Sequence, residues 1–408
     1  MNSGFRVHVI PVLLAALALC SAARAEDAPP CKNHYILSEP CALARPGLEW
    51  QALPDSILSH DRSHASVLLG DGRVLVIGGA ARGYDAVTDS WPPIEPFGAE
   101  TYDPSTSEWR ATAPMNRYLG YAFQAVRLLD GRVLVVDPGD VAGGDPGSAE
   151  VFDPANDTWT PTGTFNTPRG GFTMTPLPNG KVLAAGGADG GDIMLASAEL
   201  WDPDTGAWAL TGSLFEKRAA HTAAVLSDGK VLVVGGIHEF WTNLALGSAE
   251  VFDPATETWS KAGSIDARTF GHSATLTESG EVLVAGGYVD LPISPGSPFT
   301  VPRIRASAFI YNPEEGSWRR AGDLNVARYN HLAVPLSGFG VLVLGGDHIL
   351  PHPPELLARG SASWSYIDAL NALPMPLEKY HSATRLADGT VLFIGEGRSA
   401  ALLKYGAP

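Results

Sequence analysis

Cysteine is scarce in this chain, with three among 408 residues. A disulfide-framed scaffold or a cysteine-built metal module would need more. Positive charge is also short: 28 Lys and Arg stand against 44 Asp and Glu, a formal net charge of −16. That sign excludes general binding to a phosphate backbone, so no nucleic-acid partner is expected. Charged residues are only 18% and hydrophobic ones 45%, which excludes a disordered or coiled-coil chain. Beyond residue 19 no apolar run is long enough for a membrane span. A Gly-rich phosphate loop and a His-Glu-x-x-His metal motif are both missing. What the chain does have is Gly (45) and Pro (32), so turns are plentiful and long helices are not expected.

The first 25 residues read as an address. Arg6 precedes an apolar run over 9–19, and Ala23-Arg24-Ala25 ends it. A basic start, a short apolar core and an Ala-x-Ala end make a secretory signal peptide cleaved after Ala25, which implies a secreted or periplasmic protein. Cleavage removes Cys20 and leaves Cys31 and Cys41 in a segment spanning 26–47. In an oxidising compartment these two are expected to form one disulfide, with a pair of free thiols as the alternative.

From residue 48 to 408 one unit recurs. Its first half runs from His221 through Asp228-Gly229 and Val231 to Gly235-Gly236. Its second half runs from Ala249-Glu250 through Asp253-Pro254 to Trp259. The Val that opens the Val-Leu-Val strand recurs at 74, 133, 182, 231, 282, 341 and 391, and the Trp at 50, 109, 159, 208, 259, 318 and 364. The spacing lies between 46 and 59 residues, the length of a four-stranded propeller blade. Half-repeats alternate apolar and polar residues as strands do, and Asp-Gly and Asp-Pro supply the turns. Four strands cannot bury both faces alone, so neighbouring units must stack, the Trp residues filling the gaps between them. The third strand repeats Glu100, Glu150, Glu199, Glu250 and Glu355, which reads as a structural carboxylate.

These Gly-Gly, Asp-Pro and Trp signatures resemble kelch repeats, in an exported, bacterial-type member. The resemblance implies an all-β, seven-bladed kelch-type β-propeller, with six blades plus flanking segments as the alternative. The last copy, with His381, Asp388-Gly389 and Val391, stops before any Trp, whereas Trp50 precedes the first copy. The N-terminal strand around Trp50 is therefore expected to close the last blade.

An up-and-down blade puts its first and third turns at one end. The longer second loops (80–98, 141–147, 237–247, 288–305 and 347–354) share the other end with the blade connectors. Long loops on a rigid ring are where recognition is expected. Those connectors carry Arg62, Arg117, Arg169, Arg218, Arg268, Arg328 and Lys379, and the second loop of the fourth blade adds Trp241. Arg holds carboxylates bidentately and a loop Trp can anchor a partner, so these form the candidate ligand site. The bland alternative is that the Arg side chains bond loop carbonyls or pair with acids inside the ring. Ten residues before each Val stand His64, Phe123, Phe172, His221, His272, His331 and His381. One per blade, with Phe twice, suits packing better than metal binding. Tyr380-His381-Ser382 is similar to the copper-ligand strand of galactose oxidase, which would make Tyr380 and His381 ligands. That family also needs a Cys crosslinked to Tyr within the propeller, which this chain lacks. No metal and no cofactor are expected. The favoured function is a monomeric, non-catalytic module binding a protein or glycan, acidic ones included. The alternative is a sugar-modifying enzyme of epimerase or mutarotase type, working at the channel mouth.

Overall fold

The computed structural model describes residues 48–405, apart from 61–63, 79–97, 118, 120–122, 140–146, 191–192, 240–244, 293–299, 347–352, 368–379 and 396. Among these residues every element is a strand, and seven four-stranded antiparallel sheets form the blades of a propeller. The fourth blade is the pattern: Thr222–Val225, Val231–Val234, Ser248–Asp253 and Thr258–Ser264, each pairing with the next. Its Val-Leu-Val-Val strand is fully buried because blades cover both its faces. The turns match their residues. Asp71, Asp130, Asp228 and Asp388 each accept the N–H two positions on. The glycine between takes a left-handed φ of 83–93°. The fifth blade carries an extra hairpin, Tyr288–Pro292 with Thr300–Ile304, in its second loop. No helix of the described residues is long and apolar enough to cross a membrane.

The tryptophans staple neighbours together. Trp208, Trp259, Trp318 and Trp364 donate their indole N–H to carbonyls of the preceding blade's outer strand or the connector after it: Gly163, Gly212, Ala262 and Gly322. Trp109 does the same to Pro54. Their rings complete hydrophobic clusters that draw from two blades at once, as Trp259 does with Leu177, Leu183 and Val233.

Closure occurs as the repeats imply. Leu48–Ala52 pairs antiparallel with Ala400–Tyr405, placing Trp50 opposite Leu403 and its ring 5.1 Å from that of Phe393. A second tie follows, in which His60 and Gly397 exchange backbone hydrogen bonds. The innermost strands contact one another in sequence, and Tyr380–Arg385 touches Ala65–Leu68 to complete the ring. A chain lacking residues 1–54 would leave the edge of Ala400–Tyr405 unpaired. It is expected to lose its single cooperative melting transition, and unchanged melting would show that closure does not depend on this strand.

Candidate functional site

The connectors are built around a buried carboxylate. The third-strand Glu of a blade points at the chain arriving from the previous blade and holds it by backbone N–H groups. Glu199 accepts from Asn166 N (2.8 Å), Asn166 Nδ2 (2.9 Å) and Thr167 N (3.0 Å). Glu355 does the same with Asn325 and Val326, and Glu250 with Phe215 and Glu216. Glu150 holds Asn116 and Arg117, and Glu100 holds Ile57 and Leu58. The Asn side chain also reaches a Trp carbonyl: Trp159, Trp208 and Trp364 for Asn116, Asn166 and Asn325. These contacts were not anticipated, although the signal exists: Asn116, Asn166 and Asn325 each follow a repeat Trp by seven positions.

Three of the connector arginines complete this clamp. Arg169, Arg218 and Arg328 are fully buried, with Nη2 2.6, 2.8 and 2.7 Å from Glu199, Glu250 and Glu355. Nη1 of each donates to the carbonyl of Gly186, Gly235 or Gly345, the first glycine of the blade's Gly-Gly pair. Burial lowers the pKa of Arg169 and Arg328, partly offset by the paired carboxylate. Burial alone would raise Glu199, but the Asn166 N–H and the Arg169 guanidinium outweigh it and leave it below the usual range. For Arg169, Arg218 and Arg328 the expected ligand-facing ring is therefore corrected in favour of its alternative: they are sealed inside the blades, paired with acids and glycine carbonyls. Arg117 and Arg268 are exposed. Arg62, Lys379 and Trp241 lie outside the described residues, as do Cys31 and Cys41.

Other blades fill the arginine slot differently. In the first blade His60 sits there, its Nε2 2.6 Å from Glu100 and its Nδ1 3.0 Å from the Gly78 carbonyl. In the fifth blade it is Thr269, whose hydroxyl donates to the Gly286 carbonyl, and the Glu position is Phe309. Charge and countercharge are missing together, as the cost of an unpaired buried ion requires.

The repeated histidines form a second ring, one layer further in. Nε2 of His64, His221, His272 and His331 lies 2.7–2.9 Å from the hydroxyl of Ser382, Thr173, Thr222 and Ser273, each on the first strand of the preceding blade. Where Phe172 replaces His, the partner position is Gln124, whose side-chain amide bonds the backbone at Phe172 and Met174. Where Phe123 replaces it, the corresponding residue is Ala65. Burial, helped by the neighbouring arginine charge, depresses His221 and His331 to about 3, and burial depresses His272 to about 4. They are neutral structural bonds between blades. Among the described residues no group of three or more His, Cys, Asp or Glu could hold a metal ion.

Two predictions follow from this geometry. Arg218→Ala leaves Glu250 buried without its cation and is expected to cost about 3–5 kcal/mol. Arg268→Ala, at an exposed site, should change stability by less than about 0.5 kcal/mol, and chemical denaturation distinguishes the two. For the histidines, the folded state stays neutral while the unfolded state takes a proton near pH 6.5, so stability is lost as pH falls from there toward 3–4. Melting between pH 7 and 4 should show this loss. It should be shallower in a His221→Phe, Thr173→Ala double variant, which copies Phe123 and Ala65.

Comparison with known proteins agrees with this architecture. Residues 218–264 match the Kelch motif. A stretch of 150 residues, 37% of the chain, is 22% identical to Kelch-like protein 34 of Homo sapiens and spans 21% of that protein's length. A solved structure titled "Structure of YjhT" superposes with a TM-score of 0.55 at 14% identity, covering 77% of this chain and 99% of that one. A copper complex described as a novel fungal alcohol oxidase of the AA5 family gives a TM-score of 0.63 at 16% identity, covering 89% and 77%. Identities this low speak for the fold alone. Seven four-stranded blades, one of them carrying the matched Kelch motif, make this chain a kelch-repeat β-propeller.

Proposed function

We propose that this propeller is an exported recognition module that takes a protein or glycan partner on its connector face and performs no chemistry there. One observation carries the reading: the buried ionisable groups described at the connectors and inner strands are committed to holding the ring. Three arginines and their carboxylates are sealed within blades, and His221, His272 and His331 are neutral and bonded across blade junctions. A sugar-modifying enzyme would need such groups converging on an open pocket.

The same face offers a different surface. Phe270, Tyr288 and Tyr329 form a run of half-buried rings, with centroids 5.1 and 5.4 Å apart. Burial and the hydrogen bond to Asp290 push the Tyr288 phenol up to about 12, so it remains a donor at neutral pH. Exposed Arg268 and Asn330 flank the rings in sequence. Just ahead of the inner strands, Gly171, Ala220, Gly271 and Asn330 all adopt left-handed φ values of 51–64°. Ala220 N donates to Gly171 O and Asn330 N to Gly271 O, which ties neighbouring connectors into a rigid rim. Aromatic faces beside a guanidinium and an amide suit either a sugar ring or a protein hot spot. Kelch propellers generally mediate protein interactions.

A glycan array and affinity capture from the exported fraction test the reading. Wild type is expected to retain a partner that an Arg268→Ala, Tyr329→Ala double variant loses at unchanged melting temperature. Lys230→Ala, on the tight-turn face, should keep it. Loss of the partner by Lys230→Ala, with retention by the double variant, would put recognition on the other face.

A further inference from the structure

The tight-turn face holds a cavity of about 380 Å³ between the fifth and sixth blades, and the repeat itself explains why it is there. In each of the first five blades the residue opposite the leading Val is aromatic: Tyr102, Phe152, Trp201, Phe252 and Tyr311. Each packs with the Leu that precedes the first turn of the neighbouring blade: Leu386, Leu69, Leu128, Leu177 and Leu226. At the junction of blades five and six both partners shrink. Leu357 occupies the aromatic position opposite Val341, and Thr277 occupies the leucine position.

Two further side chains are missing at the same place. Gly340 stands where the first four blades have Arg73, Arg132, Lys181 and Lys230, and Ala358 where they have Asp103, Asp153, Asp202 and Asp253. Lys230 and Asp253, 3.8 Å apart, show how such a pair fills this corner. Gly340 has φ +131°, and a Cβ there would collide with the Leu357 carbonyl, so the backbone excludes a side chain. In the seventh blade Leu403 likewise stands in the aromatic slot, but Phe339 and Tyr405 meet there with ring centroids 5.7 Å apart. An empty apolar cavity is destabilising, and an occupant that fills it recovers that energy.

The lining indicates what would fit. Ile310, Pro335, Val341 and Leu357 supply apolar walls, while Glu278, Glu281, Arg319 and Arg359 stand among the polar lining. Glu278 accepts the Ser337 hydroxyl and the Gly338 N–H, and Glu281 accepts Arg319 Nη2 and the Ser279 hydroxyl. Arg359 is held more loosely: it makes a long ion pair with Glu278, Nη1 to carboxylate 3.8 Å, and its side chain is 68% exposed, so its guanidinium still has donors to offer a ligand. We propose that this cavity binds a small aromatic carboxylate, its ring in the space left by the missing aromatic side chain and its carboxylate on Arg359. The site lies on the opposite face from the connectors and is independent of what they recognise.

3-Phenylpropionate is a suitable probe, with 3-phenylpropanol as its neutral counterpart, read by calorimetry and saturation-transfer NMR. Wild type is expected to show one saturable site that prefers the acid by about tenfold, the scale of one charge-assisted contact. Leu357→Phe restores the kind of residue found in the first five blades, and should abolish binding while raising the melting temperature. Arg359→Gln, at an exposed position, should weaken the acid about tenfold without altering the melt. No saturable binding by wild type, or binding by Leu357→Phe equal to wild type, would reduce the cavity to a packing defect and overturn the site. Equal affinity for acid and alcohol, or full binding by Arg359→Gln, would overturn the carboxylate assignment.

Discussion

A buried carboxylate on the third strand is the interaction on which the ring depends. A connector between blades must turn sharply with its backbone N–H groups pointing away from any sheet, and buried donors left unpaired are costly. Glu100, Glu150, Glu199, Glu250 and Glu355 meet those donors from the next blade, so each of these five blades positions the chain that leads into it. Burying the carboxylate would be prohibitive alone. Arg169, Arg218 and Arg328 neutralise three of them while capping a glycine carbonyl, and His60 occupies the corresponding place for Glu100.

The junction histidines obey a similar pairing rule. At His64, His221, His272 and His331 imidazole stands opposite Ser or Thr, and Phe stands opposite Ala or Gln, so at these junctions the polar character of one blade's inner strand is matched to its neighbour. His381, opposite Leu332, departs from the rule. Substitution in such a ring is confined to coordinated exchanges, because a half-satisfied polar pair is worse than an apolar one. The fifth blade, with Thr269 and Phe309, is one such exchange in the outer clamp.

The architecture was legible in the sequence because seven copies of Val, Trp and their turns average out local noise, and the displaced Trp50 marks the closing strand. The arginines were not, because a basic residue in every connector looks uniform until each is measured from the inner-strand His or Phe. Arg169, Arg218 and Arg328 lie three positions before it, in the buried slot. Arg268 lies four before, leaving Thr269 in that slot, and Arg117 lies six before, so both point outward. One residue of register therefore separates a sealed ion pair from a surface cation. The aromatic run of Phe270, Tyr288 and Tyr329 was hidden for a related reason: Phe270 and Tyr288 meet at the same bridge that joins Gly170 to Ala188 and Ala219 to Ile237 in the two preceding blades, and Tyr329 comes to them from the next connector.

Pairing Leu48–Ala52 with Ala400–Tyr405 also sets an order of events during synthesis. The strand that completes the seventh blade leaves the ribosome some 350 residues before its partner, a delay of about 20–70 s at roughly 5–20 residues per second. Throughout that interval the early blades can stack on one another, but the ring has two raw ends. The nascent chain is therefore a growing arc with a template edge at each terminus, open to pairing with another chain. Residues 400–405 both finish the final blade and retire those edges, so the hazard of aggregation lasts until this strand has been made and paired.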